Sequence, residues 1–345
     1  MFTQCILHVP QKLHLRIYGK GPALILFHPS PNSSKMMHSF ASILANHFTV
    51  ICPDTPGYGH SEKLPIQNPS MKDYVNTFRK AFDELGINRP AIYGSATGAQ
   101  LAIRYGIEYP NQVGHIFLDN CAHFTDQERA DILKSYFPDL TPKEDGSHLV
   151  QLWEMVSNLF KYFPWCFQDE AHKLNVPSPP VEMLHSIAMD YLIAGADYYI
   201  AYKAAFHHEK IDYIQELTCP TTVLRWKGSI LKKYTDRIFE YDLNPNIGQA
   251  DISADRQSRF SEMMDCIREK FLSDDRYNSE DFKIEKPMSN EVTQSIDQDL
   301  APRPIPEMSG EYLLSAWSSL IKHNENREEN VKLSDINLQL IQWYT

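Results

Sequence analysis

Between Tyr93 and Gln100 the chain reads YGSATGAQ, a run of small residues. An apolar stretch precedes it, and LAIRYGIEYP follows, with Ala102, Ile103 and Ile107 at helical spacing. Strand, tight turn and helix form the setting in which a G-x-S-x-G motif lifts a nucleophilic serine clear of a sheet. Gly94 and Gly98 hold the outer places here, but the middle place is Ala96. A methyl group neither attacks a carbonyl nor carries a proton. Chemistry must therefore come from other groups, and the ones with suitable side chains are His28, Ser95, Asp119, Cys121, His148 and Glu311.

The elements that would position these residues follow from periodicity. KLHLRIYG alternates apolar and polar residues, and ALILFHPS is nearly continuous apolar sequence, as in a strand covered on both faces. MMHSFASILANHF has helical spacing, FTVICPDTPGYG starts as a strand and breaks at Pro and Gly, and SMKDYVNTFRKAFDELGI is a helix with Ser70 as N-cap and Gly86 at its end. The AIYG strand, its helix and VGHIFLDN follow. This alternation implies a mostly parallel, doubly wound α/β sheet. From about residue 121 to 215 aromatic-rich helical sequence replaces it, and CPTTVLRW then returns to strand character. Residues 241–301 are polar, acidic and weakly periodic apart from one helix, RFSEMMDCIREKF, and read as a surface excursion or a partly disordered stretch.

Composition narrows the partners. The chain has 345 residues, 43% of them hydrophobic, and a formal net charge of -11. It has no basic block interleaved with aromatics, so nucleic acid and anionic membrane surfaces are poor partners. Neither a basic leader nor a bilayer-spanning apolar run is present, which leads to the expectation of a cytoplasmic protein. The six cysteines lack C-x-x-C spacing and read as reduced, buried thiols. His207 and His208 are adjacent, hence face different directions, and no metal site or cofactor is expected.

HPSP after one strand, DTPGYGHS after the next, the elbow YGSATGA, and CPTTVLRW after a helical insertion together resemble the α/β-hydrolase superfamily over residues 12–226. Within it, DGSHLVQLW and IAYKAAF are similar to a poorly characterised bacterial subgroup whose elbow reads G-x-H-T-G-A. The resemblance implies an α/β-hydrolase core from residues 1–122 and 216–345, with a helical cap at 123–215. It also assigns the two backbone donors of an oxyanion hole to Thr97 and Ser30. It places the usual acid at Ile230 and the usual histidine at Glu311, beside Gly310. With Ala96, Ile230 and Glu311 in those places, the serine acyl-enzyme route cannot run.

The remaining candidates each have two readings. Glu311 is a general base if it faces the pocket, or an exposed glutamate near the start of the last helix. Asp119 lies where some members carry an alternative acid; Asn120 matches equally well, and a turn role suits either. His148 points into the pocket as base or ligand contact, or sits in the first turn of a helix capped by Asp145 or Ser147. His28 organises its loop, and Ser95 is structural. Nothing near Cys121 lowers its pKa. Aromatics of the cap would roof an apolar pocket suited to a small aromatic or alicyclic molecule.

Two function classes follow. One is an enzyme that lacks the Ser-His-Asp triad and uses the retained oxyanion hole on a small carbonyl-type substrate, by lyase, isomerase, cyclase or non-covalent hydrolase chemistry. The other is an inactive pseudo-hydrolase that binds a small ligand. A hydrolase inactivated by substitution at Ala96 is a variant of the first, but one exchange does not account for three missing residues.

Overall fold

The computed structural model describes residues 2–272. Eight strands form one sheet: β1 (Phe2–His8), β2 (Lys12–Tyr18), β3 (Ala23–Phe27), β4 (Thr49–Pro53), β5 (Ala91–Ser95), β6 (His115–Asp119), β7 (Thr221–Trp226) and β8 (Ile247–Ile252). Their order is β1-β2-β4-β3-β5-β6-β7-β8. The β1–β2 and β2–β4 pairs are antiparallel and the rest are parallel. This is the mostly parallel, doubly wound sheet that the strand and helix alternation implies.

Helices cover both faces. On one lie α1 (His38–Leu44) and α10 (Arg259–Ile267); on the other lie α2 (Met71–Glu84) and α3 (Thr97–Glu108). The central parallel strands are buried as a result, β3, β5 and β6 along their whole length. Between β6 and β7 the chain forms α4 (Asp126–Ser135), α5 (Ser147–Asn158), α6 (Val181–Ala194), α7 (Tyr199–His208) and α8 (Ile211–Gln215). The long helical stretch ending in IAYKAAF is two helices, α6 and α7, broken at Gly195 with φ +72°. A short α9 (Lys232–Asp236) follows β7.

One expectation needs correction. The stretch from 241 is no surface excursion as far as residue 272: Ile247–Ile252 is the edge strand β8, and Met263, Ile267 and Phe271 are buried against the sheet. IGQADI shows only its ends to the core, which is why its polar middle hides a strand. At the other edge, FTQCILH forms β1 although its alternation is imperfect, because pairing with β2 along seven residues supplies the missing support. Among the described residues no helix is long and apolar enough to cross a membrane.

One buried carboxylate organises the edge of the sheet next to the elbow. Asp54, just after β4, is fully buried and receives His14 Nδ1 at 2.9 Å, Arg16 Nη1 at 3.2 Å, the Ser34 amide at 2.7 Å and the His60 amide at 2.8 Å. Burial alone raises such a carboxyl's pKa, yet the hydrogen bond and charge of His14 and the charge of Arg16 hold it well below its ordinary value. Asp54→Asn leaves Arg16 without its counter-charge and should lower the unfolding free energy by about 3–5 kcal/mol in a urea titration at neutral pH. The folded pKa is depressed, so the ionic contribution is complete above the unfolded value and disappears as pH falls through the folded one. The difference between wild type and Asp54→Asn should therefore shrink on acidification below about pH 4.

Candidate functional site

The elbow forms where the sequence places it. β5 ends at Ser95, α3 begins at Thr97, and Ala96 between them has φ 52° and ψ -113°, a region that L residues seldom enter. The two glycines explain how the turn closes. A Cβ on Gly94 would stand 2.1 Å from the carbonyl oxygen of Gly98, and a Cβ on Gly98 would stand 2.2 Å from that of Phe27. Only glycine lets β5, β3 and the first turn of α3 approach this closely. The Ala96 amide is tied to the carbonyl of Asp119 at 3.0 Å, which pins the turn to β6.

Ser30 and Thr97, the residues expected to supply the two oxyanion donors, lie together, and the Ser30 amide is already engaged. Thr97 Oγ1 accepts the Ser30 amide at 3.2 Å. The Thr97 amide, at the first helical position, has no intrahelical carbonyl to bond. His28 accepts the Thr55 amide on Nε2 at 2.9 Å and donates from Nδ1 to the carbonyl of Pro29 at 2.9 Å, so the neutral ring holds the 28–30 loop to the loop after β4. Burial keeps that imidazole below its usual pKa.

Other sequence candidates lie apart from this floor. Asp119 shares the sheet face of Tyr93 and Phe117, toward α10, and its Oδ2 collects Tyr93 Oη at 2.7 Å, Ser95 Oγ at 3.2 Å and Arg259 Nη2 at 2.5 Å. Arg259 itself lies over the Trp226 ring, 4.0 Å from its centroid. Ser95 and Asp119 thus serve the sheet beneath the elbow. Asn120 adopts φ 48° and accepts Ser229 Oγ at 2.6 Å, while Ile230 is 39% exposed in the turn after β7. His148 sits in the first turn of α5, where its Nδ1 accepts the Lys143 amide at 3.1 Å, and Asp145 accepts the Ser147 amide at 3.0 Å. Cys121 is buried and its thiol pKa is raised, by burial first. Glu311 and Gly310 lie outside the described residues.

The helices inserted between β6 and β7 meet the rest of the fold through Tyr58 and the end of α7. Tyr58 Oη donates to the Tyr198 carbonyl at 2.7 Å and accepts the Tyr202 amide at 3.1 Å. One turn into α3, Gln100 Oε1 receives His208 Nδ1 at 3.0 Å, and the His208 ring stacks on Tyr213 at 4.0 Å. Next to His208 is a carboxyl that no spacing in the sequence singles out. Glu209 is buried, and burial raises its pKa to about 8 against the lowering charge of Arg129. The only trace in the sequence is a charged pair, EK, closing an aromatic-rich helix. A cavity of about 650 Å³ opens beside this junction between the 56–69 loop and α6–α7; Tyr58, Lys63, Tyr74 and Tyr199 line it, whereas Ala96 does not. Among the described residues no group of three or more His, Cys, Asp or Glu side chains is arranged to hold a metal ion.

Sheet order, elbow and the helices between β6 and β7 define an α/β-hydrolase fold. The model of the alpha/beta hydrolase fold family matches residues 22–151, which contain β3, the elbow and β6. An uncharacterised protein of Mycobacterium tuberculosis is 35% identical over 103 residues, 30% of this chain and 30% of its own length. A fluoroacetate dehalogenase of a Burkholderia species is 34% identical over 100 residues, 28% of this chain and 33% of its own length. The chain thus matches about a third of these relatives. Among solved structures, an epoxide hydrolase from an endophytic Streptomyces superposes with a TM-score of 0.61 at 13% identity, covering 79% of this chain and 96% of that one.

The elbow geometry gives paired expectations. Gly94→Ala and Gly98→Ala each drive a Cβ into a carbonyl and should abolish soluble, cooperatively folding protein. Ala96→Gly removes backbone strain at positive φ and should raise stability by about 1 kcal/mol in thermal or urea unfolding.

Proposed function

We propose that the protein holds a small, largely apolar or aromatic carbonyl-type molecule beneath its cap and forms no covalent intermediate with it at the elbow. The observation that carries this reading is the state of the turn itself. Its strained backbone is kept at Ala96, its apex carries only a methyl, and the Ser30 donor is spent on Thr97 Oγ1. An ester or epoxide presented there meets no nucleophile, and of the two oxyanion donors only the Thr97 amide remains uncommitted. The nearest carboxyl in the sheet, Asp119, is held by Arg259, Tyr93 and Ser95 on the opposite face. Aromatic rings of Phe124, Tyr136, Phe137, Tyr202 and Phe206, packed against one another, supply the apolar roof. The matched relatives' hydrolytic names support a small organic molecule as the class of ligand. A cytoplasmic setting accords with six unpaired cysteines, four of them buried.

A second reading, a triad-free enzyme, is favoured by one observation, the buried Glu209 carboxyl with its raised pKa at the cap–core junction. Such a group can pass a proton without a covalent step.

Incubating the purified protein with a cell extract separates the two. Binding without chemistry predicts a small aromatic or carbonyl compound retained by the protein, with no metabolite consumed or produced. Ala96→Ser should gain no p-nitrophenyl acetate hydrolysis above the uncatalysed rate, because a serine alone is not activated. Metabolite turnover by the wild-type protein would replace the binding reading with the enzymatic one. Esterase activity in Ala96→Ser would show that a base does reach the elbow.

A further inference from the structure

The cavity between the 56–69 loop and α6–α7 has a floor, two walls and a rim in which Ala96 takes no part. Its volume of about 650 Å³ lies in the range of small-molecule sites and far exceeds the room that a single water needs. Tyr58, Leu64, Tyr74 and Ala201 make the floor; all four belong to the packed core and are less than a tenth exposed. The floor is therefore set before anything binds. Pro56, Pro65 and Pro69 stiffen one wall, each with its φ fixed by the pyrrolidine ring. The start of α7, at Tyr199 and Ile200, supplies the other.

Tyr74 differs from the rest of this floor. It is 2% exposed, yet its hydroxyl has no hydrogen-bond partner among the described residues. Buried tyrosine hydroxyls ordinarily find one. That of Tyr58 donates to the Tyr198 carbonyl, and that of Tyr198 to the Pro138 carbonyl. Burial first, then Tyr58 and Asp73 nearby, keep the Tyr74 phenol protonated, so it is a donor and an acceptor in one group. At the rim Lys63 Nζ meets Asp197 Oδ2 at 2.9 Å, both side chains well exposed, and joins the 56–69 loop to the link between α6 and α7. Each of these charges already has its counter-charge, so the rim favours an uncharged occupant over an ionic one.

We propose that this cavity is a binding site separate from the elbow, for a small uncharged aromatic molecule whose oxygen bonds to the Tyr74 hydroxyl while its ring packs between the proline wall and α7. Such a molecule satisfies the hydroxyl and covers the apolar walls together; water satisfies the hydroxyl and leaves the walls wet. A floor built from core residues and a wall stiffened by three prolines lose little freedom when the site fills. Nothing in this assignment depends on what the elbow holds.

4-Fluoroacetophenone is the probe, and its affinity for the whole protein is read from its fluorine NMR signal in a titration at neutral pH. Wild type should bind it. Tyr74→Phe loses the hydroxyl and keeps the ring; it should bind about tenfold more weakly while melting no lower than wild type, since no bond within the protein is lost. That combination separates a ligand contact from a structural role. Ile200→Trp fills the space from α7 and should remove binding. Equal affinity in wild type and Tyr74→Phe would overturn the role of the hydroxyl. Undiminished binding by Ile200→Trp would put the probe elsewhere, the space beneath the cap included, and would overturn the lateral site without touching the reading of the elbow. Failure of wild type to bind the probe would overturn the lateral site as well.

Discussion

The surroundings of the elbow depend on a buried charge. Asp54 sits at the end of β4 with no exposure, and it joins β2 through Arg16 and His14 to the Ser34 loop and the turn at His60. Those loops flank HPSP and DTPGYG, and through Asn32 and Tyr58 the same region bonds to α6 and α7. A buried ion pair seldom adds much net stability, because removing two charges from water costs about as much as their attraction returns. What it supplies here is position: each donor has one acceptor with which it can be satisfied, so the loops adopt one arrangement. His28 extends the arrangement by bridging the amide of Thr55 to the carbonyl of Pro29.

Much of this was legible from residue types. Continuous apolar runs gave β3 and β5, glycines at fixed offsets gave the elbow, and Ser70 followed by Asp73 gave the start of α2, where Asp73 Oδ2 accepts the Ser70 amide at 2.8 Å. The failures have physical reasons. β8 was hidden because an edge strand exposes residues such as Gln249 and Asp251 and so lacks the apolar run of its neighbours. The helix break at Gly195 was hidden because the apolar pattern continues across it. At the site, residue order could place Ser30 beside Thr97 but could not show that a threonine hydroxyl would take up the amide. Nor could it show which side of β6 bears Asp119, since both faces of that strand are buried. Glu209 lies more than 100 residues from the elbow in the chain, and only the return of α7 over α3 brings it near.

Ala96 separates two properties that usually travel together. A residue at positive φ is strained, and such strain is commonly explained by the reactivity of the side chain displayed there. Here the strain persists with nothing to display. The turn is also the point where β5, β6 and α3 are fastened, through the Ala96 amide, and where α3 meets β3 at Gly98. The elbow therefore serves the packing of the sheet, a purpose that a methyl group at its apex fulfils.

Tyr58 gives the cap a mechanical property. Its single hydroxyl is wedged between the Tyr198 carbonyl and the Tyr202 amide at the start of α7, while its backbone belongs to the loop after β4. A pin of this kind resists shear between cap and core, and it releases both bonds in one event rather than by stages. The anchoring of α7 to the loop after β4 is thereby all-or-none: rotation of one ring away from this position would free the Tyr198 carbonyl and the Tyr202 amide together.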